Sequence, residues 1–297
     1  MDVKRTTAES LVNLLRSSSS SEEAQKDAVC ELRLLAKWGD DQRISIVQAG
    51  AVPYLLDHLY SSNAKLQENA ITALLNLSIY TPNREVIMSS RGALDAIVHC
   101  LTAGRSLEGK QNAAAAIFSL LVVESYRPIV GERPEAIRAL LDLIRQGNPK
   151  CTRDALKTLF LLALYPLNRP KLVSAGVVPV IFSLLMNAGM GILEDATAVI
   201  AQVAGCSESE KVFKKIFGIE VLVDLLATGS PRVQENAASA LLNLAQCGGI
   251  ADDILDVQFA MPALSLLLTS GTSRCKSKVS SLLSLLLAHE RRPARGL

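Results

Sequence analysis

The chain has 297 residues, of which 49% are apolar but only 4% aromatic, so its core must be built from Leu, Ala, Val and Ile, as is typical of helical proteins. Charged residues make up 20% and nearly cancel at a formal net charge of +2. This balance excludes a chain-wide field able to neutralise many phosphates, and we expect no nucleic-acid partner.

The sequence gives no sign of a membrane or secretory protein. The start, from Met1 to Thr7, lacks the apolar stretch of a secretory signal, and no later segment runs 18 apolar residues without a polar break. The six cysteines are scattered singly and never form a Cys-x-x-Cys pair, which indicates reduced thiols in core helices of an intracellular protein. We therefore expect no membrane span and a cytoplasmic location, with the nucleus as a second compartment.

An internal repeat dominates the chain. Segment 67–77, QENAITALLNL, returns at 234–244 as QENAASALLNL, with nine of eleven positions identical. Following one position through the copies gives steps of 41–43 residues, a period of about 42 that is typical of helical repeat arrays. The row so defined is Asp27, Asn69, Asn112, Asp154, Asp195, Asn236 and Lys278.

Each copy reads as three helices. In the copy that starts at Gly50, hydrophobic spacing predicts a helix over 52–59, a longer one over 65–79 and a short one over 84–90. Glycine suits the end of one helix and proline the first turn of the next. The boundaries are marked by Gly50-Ala51-Val52-Pro53, Gly92-Ala93-Leu94, Gly176-Val177-Val178-Pro179 and Gly218-Ile219-Glu220.

These features predict an all-α fold, a right-handed superhelical solenoid of about seven armadillo repeats with three helices each. Because one unit cannot bury its apolar face alone, the units are expected to stack around a continuous core as a single domain over 1–297. The expected repeats are approximately 1–49 (partial), 50–91, 92–134, 135–175, 176–217, 218–258 and 259–297.

The long helix of each armadillo unit lines a concave groove, so residues at one helical phase form ladders along the array. We expect a partner protein to contact the ladder Thr72, Asn76, Ser119, Lys157, Gln202, Ser239 and Asn243. A basic row, made up of Arg43, Arg84, Arg127, Arg169 and Lys211, starts the short helices. Its Arg84, Arg127 and Arg169 are candidate contacts for an acidic partner, with bracing of helix ends as the alternative.

No residue pattern points to catalysis, a cofactor or a metal. Successive members of the Asp/Asn row lie a whole repeat apart, roughly 10 Å in stacked helices, which is too far to share a proton or an ion, so a structural role is expected. The three histidines are isolated, and no phosphate-binding loop or zinc-ligand spacing occurs. The chain is therefore expected to be no enzyme.

The residue pattern of the repeats resembles the armadillo region of plant U-box E3 ubiquitin ligases over nearly the whole chain. The segments that carry the resemblance are 31–37 (ELRLLAK), 48–55 (QAGAVPYL), 67–79 (QENAITALLNLSI) and 112–120 (NAAAAIFSL). In that family a U-box recruits the ubiquitin-conjugating enzyme and the repeats select the substrate. The resemblance implies partners such as receptor-like kinase domains or exocyst subunits.

No U-box is visible in this chain, so the resemblance leaves two interpretations. The chain is expected to be the substrate-recognition region of a U-box E3 ubiquitin transferase, which meets the conjugating enzyme only through a U-box outside it. The alternative is a ligase-independent armadillo adaptor or scaffold protein. A U-box encoded upstream of Met1 would distinguish the two.

Overall fold

The computed structural model describes residues 2–17, 19, 21–186, 189–247 and 249–290, and within these ranges it contains helices and no strand. Their contacts divide the chain into two compact units, Met1–Thr158 and Leu159–Leu297, which we call unit 1 and unit 2.

Unit 1 contains ten helices and the start of an eleventh, which crosses the boundary. They are α1 (Asp2–Arg16), α2 (Glu22–Lys37), α3 (Asp40–Gln48), α4 (Ala51–Asp57), α5 (Ala64–Ser78), α6 (Thr81–Ser89), α7 (Ala93–Ala103), α8 (Leu107–Leu121), α9 (Tyr126–Gly131), α10 (Pro134–Arg145) and α11 (Pro149–Ala163). A 3-10 turn, His58–Tyr60, extends α4.

Unit 2 continues with nine more helices after the end of α11. They are α12 (Arg169–Ser174), α13 (Val177–Leu185), α14 (Met190–Val203), α15 (Ser207–Lys215), α16 (Gly218–Thr228), α17 (Pro231–Cys247), α18 (Ala251–Leu255), α19 (Ala260–Ser270) and α20 (Ser273–Glu290). A 3-10 turn, Pro166–Asn168, precedes α12.

The order of elements confirms the armadillo repeat, in which a short, a middle and a long helix recur. The long helices are α2, α5, α8, α11, α14, α17 and α20. The helix predicted over 65–79 is α5, and the short one predicted over 84–90 is α6, which starts three residues earlier because Pro82 stands in its first turn.

Side-chain caps set where the long helices of unit 1 begin. Ser21 accepts a hydrogen bond from Ala24 N, Asn63 from Lys65 N and Leu66 N, and Ser106 from Gly109 N, at 2.9 to 3.2 Å. Each bond satisfies an amide that has no partner inside the helix, and such a cap contributes about 1 kcal/mol.

The core lies between successive repeats. In unit 1, α5 packs against both α2 and α8, and in unit 2, α17 packs against both α14 and α20. On α5 the side chains of Ile71, Leu74 and Leu77 are at most 1% exposed, at the three-residue spacing that keeps one face turned inward. Each such burial contributes about 1.5–3 kcal/mol.

The backbone of the turns before the middle helices α4, α7, α13 and α16 explains why glycine marks the repeat boundaries. One of the predicted boundaries is wrong by one residue. Gly50, Gly92 and Gly176 adopt left-handed backbone conformations with φ of 83°, 71° and 86°. Gly218 was expected to be their equivalent, but it is the first residue of α16, and Phe217 occupies the left-handed turn with φ of 54°.

Packing explains why the glycine is displaced by one position. A Cβ on Gly218 would lie 3.1 Å from both Phe182 Cζ and Phe213 Cδ1. These two rings form an edge-to-face pair with centroids 5.4 Å apart. The helix start therefore needs a residue without a side chain, and the left-handed conformation is left to Phe217.

Candidate protein-binding surface

The predicted ladder joins neighbouring repeats within unit 1. Asn76 Nδ2 donates to the backbone oxygen of Arg33 at 3.2 Å, one repeat earlier. Thr72 Oγ1 donates to Glu68 O at 2.6 Å and accepts from Asn112 Nδ2 at 2.8 Å. Both ladder side chains are half-buried, so each braces the stack while part of it faces solvent.

Two other ladder members of unit 1 differ sharply in accessibility. Ser119 is 9% exposed, and its Oγ donates to Ser78 O at 3.0 Å, so this side chain serves packing and offers little surface to a partner. Lys157 is exposed. Lys157 stands one helical turn earlier in its repeat than Ser119 does, and the sequence pattern predicted that both lie on the same face of the long helices.

The ladder of unit 2 repeats the bracing. Asn243 Nδ2 donates to Ala201 O at 2.8 Å, and Gln202 Oε1 accepts from Arg169 Nη2 at 3.4 Å. Ser239, Asn243 and Gln202 are all half-buried. Asn243 and Gln202 therefore share the structural role found in unit 1.

The arginine row caps helices. The Nε atoms of Arg84, Arg127 and Arg169 donate to Ser78 O, Leu121 O and Ala163 O at 2.8, 3.2 and 3.0 Å. Each acceptor lies at the end of the preceding long helix, where carbonyls lack partners and positive charge is favourable. The bracing alternative is thus present in the structure, while contact with a partner stays a prediction.

The basic row ends before Lys211, which is exposed. Asn168 Nδ2 donates to Leu162 O, six residues earlier, and Ser209 Oγ donates to Val203 O at the same separation. Since Arg169 follows Asn168, its counterpart after Ser209 is Glu210. The one-residue error arose because the sequence spacing alone did not reveal the register of α15.

Three members of the Asp/Asn row, Asn112, Asp154 and Asn236, have the structural role that was expected. Asn236 Nδ2 donates to Thr197 Oγ1 at 3.0 Å and to Glu194 O at 3.2 Å, as Asn112 does to Thr72. Asp154 accepts from Gln111 Nε2 at 2.8 Å. These bonds link residues about one repeat apart and satisfy polar groups that helix packing removes from water.

Unit 1 also exposes an apolar strip that the sequence reading missed. Trp38, Ile79 and Val122 are 79%, 51% and 47% exposed and are the C-cap residues of α2, α5 and α8. One turn earlier on the same helices lie three more apolar side chains, one exposed and two half-buried. The complete apolar strip is Leu34, Trp38, Leu75, Ile79, Phe118 and Val122.

The 41- and 43-residue spacing of Trp38, Ile79 and Val122 was a usable signal. It was overlooked because an apolar residue at a helix end is as consistent with the core as with the surface.

The shifted pKa values of Glu68 and Cys100 are explained by their surroundings in the packed helices. Desolvation raises the pKa of the Glu68 carboxyl, but hydrogen bonds from Lys65 and Ser106 outweigh it and hold that pKa below its usual value. Burial raises the pKa of Cys100 to about 12, so its thiol stays protonated at neutral pH. Cys151 and Cys275 are buried as expected, whereas Cys247 is exposed at the end of α17.

Within the described ranges, no three or more His, Cys, Asp or Glu side chains come close enough together to hold a metal ion. Among those same residues, no helix combines the length and apolar character needed to cross a membrane.

Comparison with solved structures defines the class. A structure from a study of the phosphorylation-switched interaction between cadherin and β-catenin superposes with a TM-score of 0.81, at 16% identity, over 97% of this chain and 54% of that one. A designed armadillo repeat protein gives a TM-score of 0.53 at 21% identity, over 94% and 99%. These likenesses show the fold alone, and the chain is an armadillo-repeat protein.

The family follows from sequence. The model of the plant U-box protein ARM repeat region matches residues 10–293, and the chain belongs to this family. It is 34% identical to U-box domain-containing protein 17 of Arabidopsis thaliana, over 95% of this chain and 38% of that protein. It is 38% identical to U-box domain-containing protein 1 of Medicago truncatula, over 96% and 41%. The chain thus spans about two fifths of these relatives.

Proposed function

We propose that this chain is the substrate-recognition region of a plant U-box E3 ubiquitin ligase and binds a target protein on the exposed side of its long helices. The apolar strip carries the proposal. Large apolar side chains that stay exposed in a row, and not singly, are typical of protein interaction surfaces.

The strip has dimensions that suit a partner segment. Stacked helices lie 8–10 Å apart, so the C-caps of α2, α5 and α8 span on the order of 20 Å. That length matches about six residues of extended chain or about four turns of helix. Trp38 is the strongest anchor, because tryptophan is enriched among residues that dominate binding energy.

The predicted ladder supplies the polar surroundings of the strip. Asn76 stands one residue after Leu75 and three before Ile79 on α5, and Thr72 lies one turn earlier. Exposed Lys157 extends the polar surface at α11. Interfaces commonly combine an apolar centre with such a polar rim.

The family supports the proposed partners. They are receptor-like kinase domains or exocyst subunits, met in the cytoplasm or also in the nucleus. Ubiquitin would be transferred to these partners through a U-box, the domain for which the relatives are named.

A strip variant tests the proposal. Trp38→Ser, Ile79→Ser and Val122→Ser are combined in one chain and compared with the wild type by quantitative affinity capture from plant extract. Leu107→Ser, Leu167→Ser and Leu266→Ser, which are 42–67% exposed and lie outside the strip, form the matched control. Helical melts of both variants should stay close to wild type, because the substituted side chains are already 42–79% exposed.

Partners lost from the strip variant and kept by the control are then tested as substrates. The chain is joined to the U-box of an Arabidopsis relative, and ubiquitin transfer to the purified partner is measured. Strip-dependent transfer supports substrate recognition. Strip-dependent binding without transfer supports the adaptor alternative, and equal capture by both variants refutes the strip as the binding site.

A further inference from the structure

Unit 2 contains a cavity that none of the ladder or strip residues line. It has a volume of about 420 Å³ and lies where the end of α15, the start of α16 and the turn after α18 meet. Its wall includes Lys214, Phe217, Glu220, Asp253 and Asp256, and Ile219, Val257 and Gln258 complete it. Small-molecule and side-chain pockets commonly have volumes of this order, ~300 Å³ and upward.

Phe217, the aromatic residue that lines this cavity, stands in a strained turn. Phe217 is 69% exposed, and among the described residues it is the non-glycine residue with positive φ. A left-handed conformation costs an L-residue roughly 1–2 kcal/mol, and glycine avoids that cost. Packing around Gly218 explains the turn, but an exposed ring gains too little from packing for folding to explain why residue 217 is aromatic.

The charges on the wall are unequal. Three of the lining residues, Glu220, Asp253 and Asp256, are acidic, and one, Lys214, is basic. The ammonium of Lys214 already pairs with Asp253 at 2.9 Å and with Glu210 at 3.1 Å. Within the described part of the chain, neither Glu220 nor Asp256 takes part in an ion pair, so the cavity keeps a net negative charge.

We propose that this cavity binds an arginine side chain presented by a partner protein, with the guanidinium on the Phe217 ring and hydrogen-bonded to the carboxylates of Glu220 and Asp256. We call it the Phe217 pocket. Guanidinium is planar, stacks on aromatic faces and donates in a fork to carboxylates. One ring and separate acidic groups suit it better than a quaternary ammonium, which is recognised by a cage of several rings.

The pocket is an independent contact point. Its residues lie on α15, α16 and α18 and the turn before α19, whereas the proposed target-binding strip lies on α2, α5 and α8. Loss of one site therefore leaves the other testable.

The experiment titrates the whole chain with two small peptides, acetyl-Gly-Arg-Gly-amide and its citrulline counterpart, while backbone amide shifts are followed by NMR. Citrulline keeps the shape of arginine and removes its charge. The expected result is saturable shifts at residues 214–220 and 253–258 with the arginine peptide, at least fivefold weaker or absent with the citrulline peptide. The interaction should also weaken as salt rises, since exposed charges are screened.

Three variants assign the contacts. Phe217→Leu keeps apolar bulk but removes the ring face, and should weaken binding about threefold, as expected for an exposed cation–π contact. Glu220→Gln combined with Asp256→Asn should weaken it about fivefold or more. Phe259→Leu is the matched control, because Phe259 is 63% exposed at the equivalent turn one repeat later and does not line the cavity.

The proposal is overturned if neither peptide shifts these amides up to 20 mM, if arginine and citrulline act equally, or if Phe259→Leu weakens binding as much as Phe217→Leu. Thermal melts of each variant separate a lost contact from a lost fold.

Discussion

The two units build the same three-helix repeat, but some of their exposed apolar side chains stand at different places. Unit 1 exposes them at the C-caps of its long helices, at Trp38, Ile79 and Val122. Unit 2 exposes Phe217 and Phe259 at the turns before its middle helices. Stacking restricts the buried positions of every copy, whereas exposed positions vary freely. The copies therefore differ chiefly at their surfaces.

A second contrast lies inside unit 2. The short helix α12 buries Leu172 and is followed by Gly176 and Val177, while α15 buries Phe213 at the equivalent position and is followed by Phe217 and Gly218. A Cβ at position 218 would lie 3.1 Å from the Phe213 ring and equally close to the Phe182 ring. The packing of the two rings thus explains why glycine stands at 218 and why Phe217 occupies the left-handed turn.

The largest expected effect comes from removing that ring. Phe213→Ala should lower the free energy of unfolding by about 3–5 kcal/mol, because Phe213 is 0% exposed and its loss leaves a cavity. Urea denaturation gives the magnitude. Hydrogen exchange should place the lost protection in unit 2, because each repeat contacts chiefly its neighbours.

Phe213→Leu provides the sharper version of this test. It should tolerate Gly218→Ala better than the wild type does, because a Cβ at 218 meets Phe213 at 3.1 Å. Equal costs of Gly218→Ala in both backgrounds would show that Phe213 does not determine the glycine.

The turns should respond in opposite directions. Gly50→Ala should destabilise unit 1 by about 1–2 kcal/mol, because φ is 83° at this position. No atom lies within 4 Å of the added Cβ, so the whole cost comes from backbone strain. Phe217→Gly should stabilise unit 2 by about 0.5–1 kcal/mol, as relief of strain exceeds the entropic cost of glycine. Matched urea denaturation curves measure both. A destabilised Phe217→Gly would contradict the strained-turn interpretation.

Replacing either ladder asparagine should lower the free energy of unfolding by a smaller amount. Asn243→Ala and Asn76→Ala each remove one hydrogen bond between repeats and should cost about 1 kcal/mol. Asn243 should cost the more, because its bond to Ala201 O is 2.8 Å against 3.2 Å from Asn76 to Arg33 O. Chemical denaturation decides the order, with Ser284→Ala, which breaks a bond within an exposed helix face, as the control.

The smallest effect concerns pH. The pKa of Glu68 is held below its usual value in the folded chain, so its contribution to stability is present above the unfolded pKa and is lost as pH falls through the folded one. Glu68→Gln should therefore reduce the loss of thermal stability between pH 6 and pH 3. An unchanged pH dependence would show that Lys65 and Ser106 do not hold the charge.

The sequence predicted the fold well because buried positions must recur with the repeat. The matching segments at 67–77 and 234–244 both lie in long helices, and Gly50, Gly92 and Gly176 stand between helices as expected, in left-handed turns. The candidate site was predicted less well. Helical phase placed Ser119 beside Asn76, but only the packed neighbour shows that Ser119 is covered. The positions of Gly218 and Lys211 within their repeat depend on how α15 packs, and the sequence period alone does not predict that packing.

The hydrogen bonds between repeats have a consequence for how the chain acquires its structure. Those from Asn76, Asn112, Asn236 and Asn243 each join residues 39 to 43 positions apart. The separation does not grow along the chain, so no step must close a loop longer than about one repeat. Folding can therefore begin in any pair of neighbouring repeats and spread outward, and unit 1 can fold during synthesis before unit 2 leaves the ribosome.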